Sequence, residues 1–170
     1  VDHLLDDEAL PESVTICRVV APSLVQQMKE YVLGTVINIQ RNLVQYIRQK
    51  DIGRWEARSH PLAKDVGIGI LGLGELGGPV ARQLAQMGYS VSGWSRSTKN
   101  IDHIDTFAGA NQLPDFLSQT QILICLLPLT PETNNILDLD LFKQLQDPSW
   151  IINVARGEHL VDEDLIYALD

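Results

Sequence analysis

Positive charge is scarce in this 170-residue chain: 13 Lys and Arg stand against 22 Asp and Glu, for a net charge of −9. A surface of that sign repels nucleic acid and anionic lipid, and no basic stripe offsets it, so neither is expected as a partner. Long apolar runs are also missing. None approaches the ~20 residues that cross a bilayer, and no signal-peptide pattern is visible, so a cytoplasmic location is expected. Cysteine is limited to Cys17 and Cys125, each inside an apolar, strand-like run. Both read as buried free thiols of a reducing compartment. The four histidines, His3, His60, His103 and His159, fall in loops or at helix edges without metal-ligand spacing. No Cys or carboxylate cluster joins them, so no metal is expected. His159 reads as a solvated loop residue despite its nearness in sequence to Arg156.

What is present is enough for a core. The apolar share is 45%, which excludes a disordered chain, and the length fits one domain or one domain with a piece of another. The chain opens Val1-Asp2-His3 without an initiator Met and stops at Asp170 inside a helical pattern, so it reads as an excised part of something longer. A strand-like run, Val14–Val20, follows a turn at Leu10-Pro11-Glu12. One long helix is then expected from Ser23, its N-cap, with Gln26 completing a capping box. Apolar residues at Val25, Met28, Val32, Val36, Ile39, Leu43 and Ile47 keep helical spacing to a stop at Gly53. Tyr31 to Ile39 is apolar almost all round, which predicts burial on more than one side. A polar connector runs from Arg54 to Lys64.

From Val66 the pattern becomes strand alternating with helix, the mark of a parallel α/β sheet. Strands are expected at Val66–Leu71, Ser90–Trp94, Thr106-Phe107, Ile122–Leu127 and Trp150–Val154. Helices are expected at Leu76–Met87, Leu113–Ser118 and Leu139–Leu145, with a last one capped by Asp162. The strands at Ile122 and Trp150 are continuously apolar, as strands buried on both faces are. The fold class is a Rossmann-type doubly wound parallel sheet, three layers α/β/α, incomplete at its C-terminus.

Ligands of such sheets bind beyond the carboxyl ends of the strands. The first strand runs into Gly72-Leu73-Gly74-Glu75-Leu76-Gly77 and then a helix. Gly72 permits the tight turn, Gly74 lets the backbone approach a pyrophosphate, and Gly77 lets the helix pack on the sheet. The first helical amides, around Glu75 and Leu76, would face the phosphates along the helix dipole. The second strand ends Trp94-Ser95-Arg96-Ser97-Thr98-Lys99. Ser95 stands where an NAD site wants a carboxylate for the ribose 2′-hydroxyl. Arg96, Ser97 and Lys99 would instead attract a 2′-phosphate, so NADP(H) is preferred and NAD(H) remains possible; a solvated basic loop is the other reading. The fourth strand ends Leu127-Pro128-Leu129-Thr130-Pro131-Glu132-Thr133, either a stiff wall beside the cofactor or a plain turn. The fifth ends Asn153-Val154-Ala155-Arg156-Gly157. The planar fork of Arg156 suits the carboxylate and carbonyl of a small 2-oxo acid, although position alone also allows a surface Arg.

Taken together, these motifs resemble the D-isomer-specific 2-hydroxyacid dehydrogenases, most closely the glyoxylate/hydroxypyruvate reductase A branch, over nearly the whole chain. Gly69 to Gly74, Trp94 to Ser97, Leu127 to Thr133 and Asn153 to Gly157 with Val161 to Leu165 carry the likeness. The resemblance implies a cofactor domain inserted in a flavodoxin-like substrate domain and closing by a hinge. It implies a hydride passing from NAD(P)H to a small 2-oxo acid, with Arg156 as the substrate-binding catalytic Arg. Residues 1–21 would be a remnant of the substrate domain and hinge, and residues 22–170 the truncated cofactor domain. Such domains usually form a homodimer contact. The His–Glu proton donor of the family follows the segment that ends here, so this polypeptide alone is expected not to turn over. The dinucleotide-sensing corepressors share the domain and offer a binding-module alternative.

Overall fold

The computed structural model describes residues 9–11, 13–15 and 21–169. Most of the Val14–Val20 run, and with it Cys17, lies outside the described residues, as does His3.

Two helices come first, α1 (Pro22–Gln40) and α2 (Leu43–Asp51), where the sequence predicts one. The break falls at Asn42, which is left-handed with φ 51° and ψ 38°. Asn tolerates that conformation better than other non-glycine residues because its short polar side chain bonds locally. The expected end is present: Arg48 and Lys50 occupy the last turn of α2, and Gly53 follows with φ 63°. The capping box at Ser23 and Gln26 does not form. Ala21 is the N-cap without a side-chain bond, Pro22 starts the helix with its pre-set φ, and Gln26 donates to Glu30 instead at 2.7 Å. Burial of α1 is also narrower than expected. Val32 and Val36 are fully buried, whereas Tyr31 is 61% exposed.

The connector is tied down along its length. His60 bonds the Tyr46 hydroxyl and the Gln40 carbonyl, Gln40 donates to the Pro61 carbonyl, and Trp55 stacks on Tyr46 at 5.5 Å. The Tyr89 hydroxyl donates to the Gln40 side chain at 2.6 Å, joining the end of α1 to the start of the sheet's second strand.

Strands β1 (Gly67–Leu71), β2 (Ser90–Ser95), β3 (Asp105–Ala108), β4 (Ile122–Cys125) and β5 (Trp150–Asn153) form one parallel sheet in the order β3-β2-β1-β4-β5. Helices α3 (Gly77–Gln86), α4 (Leu113–Ser118), α5 (Leu139–Phe142) and α6 (Asp162–Leu169) connect or follow them. The result is the doubly wound, three-layer fold. Strand alternation sorts the core into two layers. Ile68, Ile70, Ile122 and Ile124 pack with Val32, Val36, Val80 and Leu84 on the α1/α3 side. Leu71, Leu123 and Cys125 pack with Phe116, Leu117 and Leu137 on the other. Each fully buried Leu, Ile or Phe contributes about 1.5–3 kcal/mol, and β4 is buried throughout, as its continuous apolar run predicts.

β5 departs from that expectation. It forms a sheet edge, with Trp150 36% exposed and only Ile152 buried, because β4 is its single strand neighbour. The last two helices are also adjusted. α5 stops at Phe142 and continues as turns, and Asp138 caps it through Leu141 N at 2.8 Å. Asp162 is the first residue of α6 rather than a flanking cap, and Asp164 is the acid that accepts a helix-end amide, that of Leu139.

Since β1 pairs with β2 on one side and β4 on the other, the chain reverses direction across the sheet there. Sheets of this kind hold their ligands in a crevice at that point, here beyond Leu71, Ser95 and Cys125.

Candidate functional site

Three glycines shape the floor of the crevice, for different reasons. Gly72 has φ 99°, and its N–H donates to the Trp94 carbonyl at 2.8 Å, prolonging the β1–β2 pairing. A Cβ there would lie 2.8 Å from the Leu126 carbonyl oxygen, and a Cβ on Gly77 would overlap the Gly72 carbonyl oxygen. Gly74 differs: nothing stands within 4 Å of where its Cβ would be, and the residue is exposed. The N–H groups of Glu75, Leu76 and Gly77 find no acceptor among the described residues. Open space above unpaired amides at the start of a ten-residue helix suits a phosphate. Pro79 sits in the first turn, and its missing N–H forgoes a single bond, to the Glu75 carbonyl, between those of Gly78 to Gly74 and Val80 to Leu76.

At the end of β2 the residues divide into support and surface. Trp94 is buried and its Nε1 donates to the Gly109 carbonyl at 2.8 Å, and buried Ser95 donates to the Ser97 carbonyl at 2.8 Å. Thr106 pins the loop through the Lys99 carbonyl at 2.7 Å. Arg96, Ser97 and Lys99 are exposed, and neither cation forms an ion pair among the described residues.

The loop after β4 closes on itself. The Thr133 hydroxyl donates to the Pro128 carbonyl at 2.7 Å and accepts from Thr130 N at 2.8 Å. Leu127 is buried, and Pro128 is exposed on the crevice side of β4. The Glu132 carboxyl is held below the ordinary carboxylate range by its own backbone N–H, then by the Thr130 hydroxyl, with a smaller pull from Arg96.

Beyond β5, Val154 N donates to the Cys125 carbonyl at 3.2 Å. The Asn153 side chain braces the turn, donating to the Arg156 carbonyl at 2.8 Å and accepting from Ala155 N at 3.1 Å. The Arg156 guanidinium is exposed, donates to the Ala155 carbonyl at 3.0 Å, and has no carboxylate partner among the described residues. Its remaining donors are free for an anion.

A family model described as the D-isomer specific 2-hydroxyacid dehydrogenase, NAD binding domain, matches residues 33–170. The chain belongs to that family. Among curated relatives, a glyoxylate/hydroxypyruvate reductase A of Yersinia enterocolitica is 42% identical, over 100% of this chain and 56% of its own length. Two solved structures superpose with a TM-score of 0.94. One is a D-isomer specific 2-hydroxyacid dehydrogenase from Xanthobacter autotrophicus in complex with NADPH and MES, 36% identical, covering 99% of this chain and 69% of that one. The other is an NADPH-dependent glyoxylate/hydroxypyruvate reductase from Sinorhizobium meliloti in complex with NADP and sulfate, 37% identical, covering 99% and 54%. The chain spans about half the length of the curated relatives it matches.

In this 2-hydroxyacid dehydrogenase domain three residues escape the sequence reading. Asn153 is legible only as part of a strand, and Glu132 only as a loop acid. His159 is a correction. It is fully buried rather than solvated, with its ring nitrogens 2.8 Å from the Thr133 carbonyl oxygen and 3.2 Å from that of Leu127. The short 3-10 turn Gly157–His159 folds it back beneath the β4 loop, which no spacing in the sequence announces. No group of three or more potential metal ligands exists among the described residues, and no described helix is long and apolar enough to cross a membrane.

Cys125 is fully buried, and burial pushes its thiol up to about 11, against a smaller opposing effect of a Leu127 backbone hydrogen bond. Its folded value lies above the ordinary 9.0. The associated stabilisation is therefore complete below pH 9 and is lost as pH rises through about 11. Native protein treated with iodoacetamide at about pH 8 should show no alkylation of Cys125 by peptide mass spectrometry, and full alkylation in denaturant. Rapid native labelling would contradict this burial.

Proposed function

We propose that this chain is the NADP(H)-binding domain of a reductase acting on small 2-oxo acids such as glyoxylate and hydroxypyruvate. The observation that carries the reading is the open space over Gly74, lined by unpaired helix-start amides and flanked by the exposed cations of the β2 loop. The NADPH and NADP held by the two neighbouring structures support it.

In this reading Gly72, Gly74, Glu75, Leu76 and Gly77 embrace the diphosphate. Arg96, Ser97 and Lys99 grip the 2′-phosphate on a loop held by Trp94 and Ser95. Leu127, Pro128, Thr133, Val154 and Ala155 line the nicotinamide side. The coenzyme, when bound, supplies the hydride that reduces a keto carbon. Arg156 orients the substrate by its carboxylate and polarises the keto oxygen. The reading takes the proton for the resulting alkoxide from outside residues 21–169, because both ring nitrogens of buried His159 lie against carbonyl oxygens of the β4 loop. The reading takes residues 1–21 as hinge and substrate-domain remnant, residues 22–170 as the cofactor domain, and the 170-residue chain alone as unable to turn over. It also takes a cytoplasmic location, which a reduced Cys125 suits, and a homodimer through the cofactor domain. Exposed Tyr31, Ile47 and Ile52 on and beside the α1–α2 pair supply apolar surface for that contact.

Calorimetry with NADPH and NADH tests the cofactor assignment. Replacing Arg96 and Lys99 together by Ala should weaken NADPH by roughly 100-fold, since hydrogen bonds to charged groups contribute about 1.5–3 kcal/mol each. NADH affinity should change by less than about threefold, within the 0–1 kcal/mol typical of an exposed charge. Unchanged selectivity would leave the loop as solvated surface.

A further inference from the structure

His159 is placed to do more than fill space. The carbonyls it meets, Leu127 and Thr133, open and close the loop that follows β4. A carbonyl only accepts, so a ring bearing one proton serves one of the two, and the shorter contact assigns that proton to Nδ1 and the bond to Thr133. The same histidine belongs to the segment that carries Arg156, three residues earlier. Backbone bonds reinforce the junction. Asn135 N donates to the Glu158 carbonyl at 2.9 Å, Leu137 N to the His159 carbonyl at 2.8 Å, and Val161 N to the Leu137 carbonyl at 3.1 Å. Leu137 and Leu160 form an isolated parallel bridge, with Leu137 fully buried.

The loop interior offers no competing anchor. The Thr133 hydroxyl is already committed to Pro128 and Thr130. Apart from the ring, the hydrogen bonds that tie this stretch to the chain beyond β5 start only at Asn135 among the described residues, although Leu127 shares an apolar cluster with Ala155 and Leu160. Without the ring N–H, the part-buried Thr133 carbonyl would have to take water as its donor, and the loop would move to reach it.

We propose that His159 is a positioning residue that locks the 127–133 loop to the Arg156 segment, so that coenzyme held against the loop also fixes the strand end that faces the substrate. This rests on the cofactor reading above and adds to it a mechanical coupling between two loops that the chain keeps more than twenty residues apart.

Amide hydrogen exchange with and without NADPH tests the coupling. In the wild-type protein, saturating NADPH should slow exchange of the glycine-loop amides Glu75 to Gly77, and slow the distant junction amides Leu137 and Val161 by about tenfold. In His159→Leu the glycine-loop slowing should persist while the junction response falls below about twofold. A histidine that merely stabilises the fold would raise exchange across the sheet alike and leave the NADPH-induced ratio at Leu137 and Val161 unchanged, which overturns the proposal. If His159→Leu does not fold, the wild-type ring decides. Its Nδ1–H resonance should be observable and should shift when NADPH is added, and a resonance that stays put overturns the lock. Absence of any NADPH effect at Glu75 to Gly77 in the wild type would instead bring down the cofactor reading, and the coupling with it.

Discussion

Gly74→Ala should fold normally and bind NADPH poorly, whereas Gly77→Ala should lose stability. The two substitutions add the same methyl group a few residues apart. At Gly77 the new Cβ overlaps the backbone oxygen of Gly72, which belongs to a turn already held by the Trp94 carbonyl. Neither partner is the flexible end of a side chain, so the loop or helix must shift. A loss of about 3 kcal/mol is expected, the upper part of the overpacking range, read as a lower urea midpoint. At Gly74 the methyl enters open space on an exposed residue, and stability should stay within about 0.5 kcal/mol. That space is where the diphosphate is proposed to lie. Losing one or two charge-assisted amide bonds should weaken NADPH about 10- to 100-fold by calorimetry. Wild-type affinity in Gly74→Ala would mean that the phosphates lie elsewhere.

Arg156→Ala, made in the longer protein that carries this domain, should cut kcat/KM for a small 2-oxo acid by roughly 100- to 1000-fold in steady-state assays, with NADPH affinity altered far less. The guanidinium is exposed and without an ionic partner among the described residues, so its removal strands no internal charge. The loss would come from interactions with substrate, about 3–4 kcal/mol for a two-pronged grip on a carboxylate and a developing oxyanion. Arg156→Lys keeps the charge without the planar fork and should recover only part of the rate. Asn153→Ala should mimic a fraction of the defect by releasing the turn that presents Arg156. Equal losses in coenzyme affinity and turnover would reassign Arg156 to the coenzyme.

Much of this architecture was readable from local pattern. The glycine spacing, the apolar strand runs and the turn residues are short-range signals, and they place β1, β2, β4, α3 and α4 within a residue or two of where they lie. What escaped depends on contacts remote in sequence. The break at Asn42 is invisible to apolar spacing, because Leu43 and Ile47 keep the helical period across it. β5 looks like an interior strand because its side chains are apolar, although its place in the order makes it an edge. The burial of His159 is set by the return of the chain beneath a loop 26 residues away. Among the proposed site residues, chemistry was legible in Arg96, Lys99 and Arg156. The supporting work of Trp94, Ser95 and Asn153 lies in hydrogen bonds that residue type alone does not specify.

The stacked Trp55 and Tyr46, the doubly bonded His60 and the Gln40–Tyr89 bond make the stretch between α2 and β1 a strut instead of a tether. Helices α1 and α2 therefore travel with the sheet as a single body.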